Sequence, residues 1–258
     1  MSILVFDVES VPDFESGRKV HNLSADLSDK DVVKAMQHLQ FQKSGSEFMP
    51  LHLQRIVAIS VVFEKGDQLK VWSLGDIDAT EKEIIQRFYE GLEQHIPTLV
   101  TWNGNGFDLP VLNYRALLHG VQAPTYWETG DDNQSFRFNN YISRFHSRHT
   151  DLMDVLGNYQ PRGGAKLDEI ATMLGYPGKY GMSGADVWDK YQQGALNEIR
   201  QYCETDVLNT YLVYLHFELI RGRSSPDLLT QKVIRLKNML RESEQAHLQD
   251  FLRVWEDS

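Results

Sequence analysis

Residues 98–120, TLVTWNGNGFDLPVLNYRALLHG, hold the reading on which the fold turns. TLVTWN (98–103) is short and apolar with β-branched side chains, as a buried strand is. The chain then passes through Asn103, Gly104, Asn105 and Gly106, which interrupt any regular element. FDLPVLNYRALLHG follows with helical spacing and stops at Gly120. Pro110 falls in its first turn, where a missing N–H costs little. A strand feeding a helix through a glycine turn predicts an α/β domain. Asp108 sits near the helix start. The helix dipole favours an acid there, which explains the residue type. It does not explain the glycines, which let a backbone or a ligand come close.

Working outward, RIVAISVVFE (55–64) and LKVWSL (69–74) flank the turn EKGDQ and predict a hairpin. Residues 79–95 place Ile84, Ile85, Phe88 and Leu92 on one face of an amphipathic helix. Residues 2–7 read as a first strand ending at Asp7. Residues 12–54 are polar and mixed and read as an insertion between the first two strands. Within them Ser28, with Asp31 three residues on, opens a helix to about Phe41. DLMDVLGNY, KLDEIATMLG and ALNEIRQYCETDVLNTYLVYLHFELI each read as helical. Residues 1–222 form the expected domain, and residues 223–258 a further C-terminal helix. Its rough apolar stripe includes Leu229, Leu236, Leu240, Phe251 and Trp255. That helix could pack on the domain or pair with a second copy. The whole predicts a mixed sheet flanked by helices.

With 258 residues and 41% hydrophobic content, the chain can bury one large core. Its single cysteine, Cys203, excludes an intramolecular disulfide and a cysteine-rich zinc site, and fits a reducing cytoplasm. No apolar run approaches the roughly 20 residues that span a bilayer. MSILVFDVES lacks a basic flank and is expected to be a strand rather than a signal peptide. The net charge of −10 argues against nonspecific duplex binding through a broad basic face. It leaves room for a local basic patch.

Asp7 and Glu9, in ILVFDVES, lie two apart, so a strand presents both on one face and Val8 on the other. Tyr202 and Asp206, in YCETD, stand at i and i+4 and share a helix face. Each signal also has a plain structural reading: a solvated strand end, a helix cap, a tyrosine packed beside an acid. Four carboxylates brought together would repel one another unless divalent cations sat among them. That points to metal-assisted phosphate chemistry.

The three segments appear in the order D-x-E, N-x-x-x-F-D-x-x-x-L-x-x-R and Y-C-x-x-D. In this the sequence resembles the DnaQ-like (DEDD) 3′–5′ exonucleases that carry a tyrosine in the third motif. FDVES resembles the first motif. NGNGFDLPVLNYR resembles the second, with Asn103, Phe107, Asp108, Leu112 and Arg115 in place, and YCETD the third. The likeness is to the proofreading exonuclease domain of family-B DNA polymerases and spans residues 3 to about 215. No polymerase domain fits in the remainder, so a freestanding exonuclease is expected. The resemblance implies an RNase H-like fold, a mixed five-stranded sheet with helices on its faces. It also implies two divalent cations, Mg²⁺ or Mn²⁺. Asp7 would bridge both, Glu9 and Asp206 would complete the shell of one, and Asp108 would hold the other. Tyr202 would orient the attacking water.

The expected substrate is the 3′ end of a single-stranded nucleic acid, DNA favoured, releasing nucleoside monophosphates. Candidate contacts are Val8, Asn103, Asn105 and Phe107. The basic, aromatic stretch FRFNNYISRFHSRH adds Arg144 and Arg148, a pattern that suits a single strand and equally a solvated loop. Phe107 could instead pack in the core, Asp151 cap a helix, Asp154 stand as a solvated helix acid, and Arg115 pair with an acid. Lys166 and Lys179 could reach phosphate, but lone lysines read more simply as surface charge. Two alternatives remain: an RNA 3′-end exoribonuclease with the same site, and a non-catalytic binding module on this fold.

Overall fold

In the computed structural model, which describes residues 2–160, 163–179 and 181–257, the strand-turn-helix of 98–120 lies inside a five-stranded sheet domain. Strand β1 (Ser2–Pro12) leads into helices α1 (Phe14–Val20) and α2 (Asp29–Ser44). The hairpin β2 (Gln54–Lys65) and β3 (Gln68–Ser73) follows, then α3 (Glu81–His95), β4 (Thr98–Thr101) and α4 (Asp108–His119). A short α5 (Pro124–Trp127) precedes β5 (His149–Asp151) and α6 (Leu152–Leu156). Next come α7 (Leu167–Met173), α8 (Val187–Gln192), α9 (Leu196–Ile220), α10 (Pro226–Glu242) and α11 (Ala246–Glu256).

The strand order is β3-β2-β1-β4-β5. β1 pairs antiparallel with β2 and parallel with β4, and β4 pairs parallel with β5. This is the mixed, helix-flanked sheet of an RNase H-like α/β fold. Alternation along β1 creates two cores. Leu4, Phe6 and Val8 join Ile59, Val61 and Leu99 beneath α3 and α4. Ile3 and Val5 face the other way, with Val62, Val100 and the α9 residues Val207, Leu208 and Tyr211. By period two, Asp7 and Glu9 continue that second row, toward α9. The register with β2 shifts just after Glu9, and such a bulge bends a strand. β1 runs on to Pro12 instead of stopping at Asp7, because Ser10, Val11 and Pro12 keep pairing with β2.

The segment joining β1 to β2 folds around a small core of its own, Val32, Met36, Met49 and Leu53, with Phe14 and Leu23 against it. α2 starts where the sequence marks it, with the Ser28 hydroxyl accepting the Asp31 N–H at 3.2 Å.

The C-terminal segment corrects the expectation of one helix. α10 ends at Glu242, and Ser243 and Gln245 are extended, with ψ of 137° and 118°. One straight helix would carry Phe251 and Trp255 away from the domain. The break lets them bury beside Leu236 and Leu240 in the core built on α9. The described part of this segment therefore packs on the domain.

Candidate active site

Asp7 and Glu9 come from β1, Asp108 is the first residue of α4, and Tyr202 and Asp206 lie on α9. Asp108 is held by the first acidic segment itself: its Oδ1 accepts the backbone N–H of Val8 at 2.9 Å. Strand β1 is tied to α9 in turn, since Cys203 Sγ lies 3.5 Å from both the carbonyl oxygen and Oδ2 of Asp7. Donor atoms of Asp7, Glu9 and Cys203 all fall within 4.8 Å of one another.

Electrostatics binds the other acids to this group. Burial lifts the Asp7 carboxyl well above the usual carboxylate range, and Asp108, Glu9 and Asp206 push it further. Burial lifts Glu9 as well, with Asp206 and Asp108 adding to it and Lys179 opposing. Asp108 is pushed up to about 7, by burial first, against backbone hydrogen bonds that include that of Val8. Asp206 is pushed up to about 6, again by burial, against a hydrogen bond from Tyr202 and the charge of Lys179. Burial, followed by Asp206 and Glu9, drives the Tyr202 hydroxyl above its ordinary range, so it stays protonated and donates to Asp206. The Cys203 thiol is likewise pushed up, by burial and by Asp7, and is no thiolate.

The glycine turn before Asp108 is packed by its own chain. A side chain at Gly104 would place Cβ 2.3 Å from Thr101 Oγ1, and one at Gly106 would sit 2.4 Å from Asn103 Oδ1. Asp151 closes the turn: its carboxylate accepts the N–H groups of Asn103 and Asn105 at 2.9 and 2.8 Å, and the Asp154 N–H at 3.3 Å. Asp151 is thus a helix cap that also shapes the second acidic segment.

Residues 46–255 match the model of a family described as predicted 3′–5′ exonucleases related to the exonuclease domain of PolB. This chain belongs to that family. It is also similar to DNA polymerases. It is 24% identical to a DNA polymerase of Archaeoglobus fulgidus over 172 residues, 64% of this chain and 21% of the polymerase. It is 27% identical to the catalytic polypeptide of DNA polymerase epsilon from Emericella nidulans over 148 residues, 54% of this chain and 6% of that polypeptide. Over 75 residues it is 33% identical to a DNA polymerase of Pyrococcus glycovorans, 27% of this chain and 10% of that one. The chain thus matches a small part of each polymerase's length.

Within this exonuclease family member, the expected substrate contacts divide. Val8 is core, 3% exposed, and its N–H is taken by Asp108. Asn105 spends its side-chain Nδ2 on Asp154 at 2.8 Å. Phe107 is partly buried against the core under α3 and α4, at the mouth of α4. Arg144 is held by Asp154 at 2.9 Å, so Asp154 is no free solvated acid. Arg148 departs furthest from its expected role. Its Nε donates to the Asn139 carbonyl, and its guanidinium covers the Phe136 ring at 4.0 Å, so it braces the loop from within. Lys179 is more than surface charge: its Nζ lies 6.0 Å from the Tyr202 ring, and its charge acts on Glu9 and Asp206. It sits between glycines in a stretch with no period, and only the fold brings it to the acids.

Proposed function

We propose that the protein is a two-metal-ion 3′–5′ exonuclease that hydrolyses terminal phosphodiesters of single-stranded nucleic acid, DNA favoured, to nucleoside monophosphates. The observation that carries this reading is a set of four carboxylates from three elements, Glu9 and Asp108 buried and Asp7 and Asp206 half-buried, each raised by loss of water contact and several by one another. Such a set fits hard divalent cations such as Mg²⁺ or Mn²⁺, since its ionisable donors are carboxylate oxygens and the one nearby sulfur stays protonated. Asp7, Glu9, Asp108 and Asp206 would hold the ions. When bound, these supply charge neutralisation at the phosphate and activation of water. The DNA polymerases among the similar proteins support DNA over RNA.

The chain's own residues do the rest. Val8 fixes Asp108 through its N–H, and Cys203 steadies Asp7. Tyr202 is too weak an acid to serve as a base at neutral pH, so its hydroxyl orients the attacking water beside Asp206. A 5′-labelled single strand should shorten stepwise from its 3′ end with Mg²⁺ or Mn²⁺ and stay intact in EDTA. Asp7→Asn and Asp206→Asn should each lower the rate at least about a thousand-fold while circular dichroism stays native. Binding without shortening would leave a non-catalytic module, and unchanged rates in both variants would sink the reading.

A further inference from the structure

Phe48 is 60% exposed, yet its ring sits 5.9 Å from that of Phe107, with the planes at 50°. Phe107 directly precedes Asp108. The loop carrying Phe48 is anchored rather than loose: Met49 is buried at 3%, and its carbonyl accepts Gln54 Nε2 at 3.1 Å. The Phe48 N–H donates to Ser46 Oγ at 3.2 Å. A large apolar ring is thus held open to solvent against the residue that precedes Asp108. A second ring pair repeats the arrangement. His52 lies 5.9 Å from Tyr114, which is 47% exposed. Tyr114 stands seven residues beyond Phe107, about 10 Å further along α4. Each pair joins one ring from the segment between β1 and β2 to one from the Phe107–Tyr114 stretch.

We propose that Phe48 with Phe107, continued by His52 with Tyr114, forms a stacking track that leads the unpaired bases of a single strand to the acids. The inference rests on the exonuclease reading and names what that site selects, an unpaired 3′ end over a paired one. Bases offer π-faces only when unpaired and unstacked, and aromatic side chains take them without regard to sequence. The overall charge of −10 favours this mode, since stacking needs no broad basic surface. The segment between β1 and β2 thereby gains a role: it brings half of the track.

The test is binding of a hexanucleotide with 2-aminopurine at its 3′ end, in Ca²⁺ to suppress turnover. The wild-type protein should change the probe's fluorescence on binding. Phe48→Ala should weaken binding about five- to a hundred-fold and remove the signal at an unchanged melting temperature, and Phe48→Trp should restore both. Tyr114→Ala should weaken the hexanucleotide more than a dinucleotide. Wild-type binding and signal in Phe48→Ala, from a protein that shortens single strands, overturns the track and leaves the nuclease reading standing. Phe48-dependent binding without any shortening keeps the track and overturns the nuclease reading. No single-strand binding at all overturns both.

Discussion

Asp13 and Glu81 are 2% and 8% exposed, and Asp108 and Glu9 are 2% and 8% exposed, yet the fold treats the two pairs in opposite ways. Asp13 and Glu81 share the guanidinium of Arg115, and His119 adds a contact to Glu81 at 2.7 Å. Burial alone would raise the Asp13 carboxyl, but hydrogen bonds from Ser16 and Arg115 overcome it and hold Asp13 below its ordinary value. Glu64, also buried, forms ion pairs with Lys232 and Arg235. Among the described residues, no lysine or arginine forms an ion pair with Asp7, Glu9, Asp108 or Asp206, and all four are shifted upward. At Asp13, Glu81 and Glu64 an arginine neutralises the buried acid. At the four acids of the candidate site no such partner stands among the described residues, and that is the charge deficit the proposed cations would fill.

Removing the shared cation should give the largest effect on stability. Arg115→Met leaves Asp13 and Glu81 buried without their partner, which should cost about 3–5 kcal/mol. For a chain of this size the melting temperature should fall by roughly 10 °C, read by calorimetry. Since Arg115 joins the end of β1 to α3 and α4, the loss also loosens the elements that carry Asp7 and Asp108. A shift of only a degree or two would remove the contrast between the two clusters.

The same operation in the other cluster should have the opposite sign. Asp108→Asn removes a charge that the metal-free fold holds poorly. An acid whose folded pKa is raised binds its proton more tightly in the folded state. Stability is then greatest at low pH and falls as pH rises from about 4, the unfolded value, to about 7 for Asp108 and about 6 for Asp206. Asp108→Asn should therefore stabilise the EDTA-treated protein by roughly 1–3 kcal/mol at pH 8 and by little at pH 4.5. His149 acts in the opposite sense over part of this window. Burial holds its pKa near 4, so its contribution is lost as pH falls from about 6.5 toward 4. The difference between variant and wild type isolates the Asp108 part. Saturating Mn²⁺ should flatten the wild-type profile, and a variant destabilised at pH 8 would refute the upward shift of the Asp108 carboxyl.

The hairpin, α9 and the elements that carry the acids are legible because each rests on a local pattern: period two, a turn between alternating runs, or i,i+4 spacing. What was hidden depends on distant partners. β5 is three residues long in a polar stretch, and only its parallel pairing with β4 makes it a strand. α8 has six residues and little period of its own, and Val187 gains its burial from Val11 and Ile199. Phe48 looked like one more residue of a mixed segment until the loop brought it to Phe107. The C-terminal stripe is apolar in the sequence, but its break lies at Ser243–Gln245, where burial against α9 outweighs helix continuity.

Lys179 is the smallest and sharpest probe of the contrast. It opposes the upward shifts of Glu9 and Asp206, but it sits over Tyr202 rather than in an ion pair with either acid. It is thus a partial stand-in for the positive charge that the cluster lacks. If ligand cations supply that charge, Lys179 competes with them. Lys179→Gln should then tighten Mn²⁺ binding about two- to five-fold, as expected for losing a screened, like-charged neighbour worth below about 1 kcal/mol. Titration of the free Mn²⁺ signal by electron paramagnetic resonance reads this directly, without turnover. The gain should shrink as salt is raised, because screening weakens the repulsion being removed. Weaker Mn²⁺ binding in the variant would mean that Lys179 organises the acids instead of competing for them. The cluster would then resemble the Arg115 network more closely than its raised carboxyls imply.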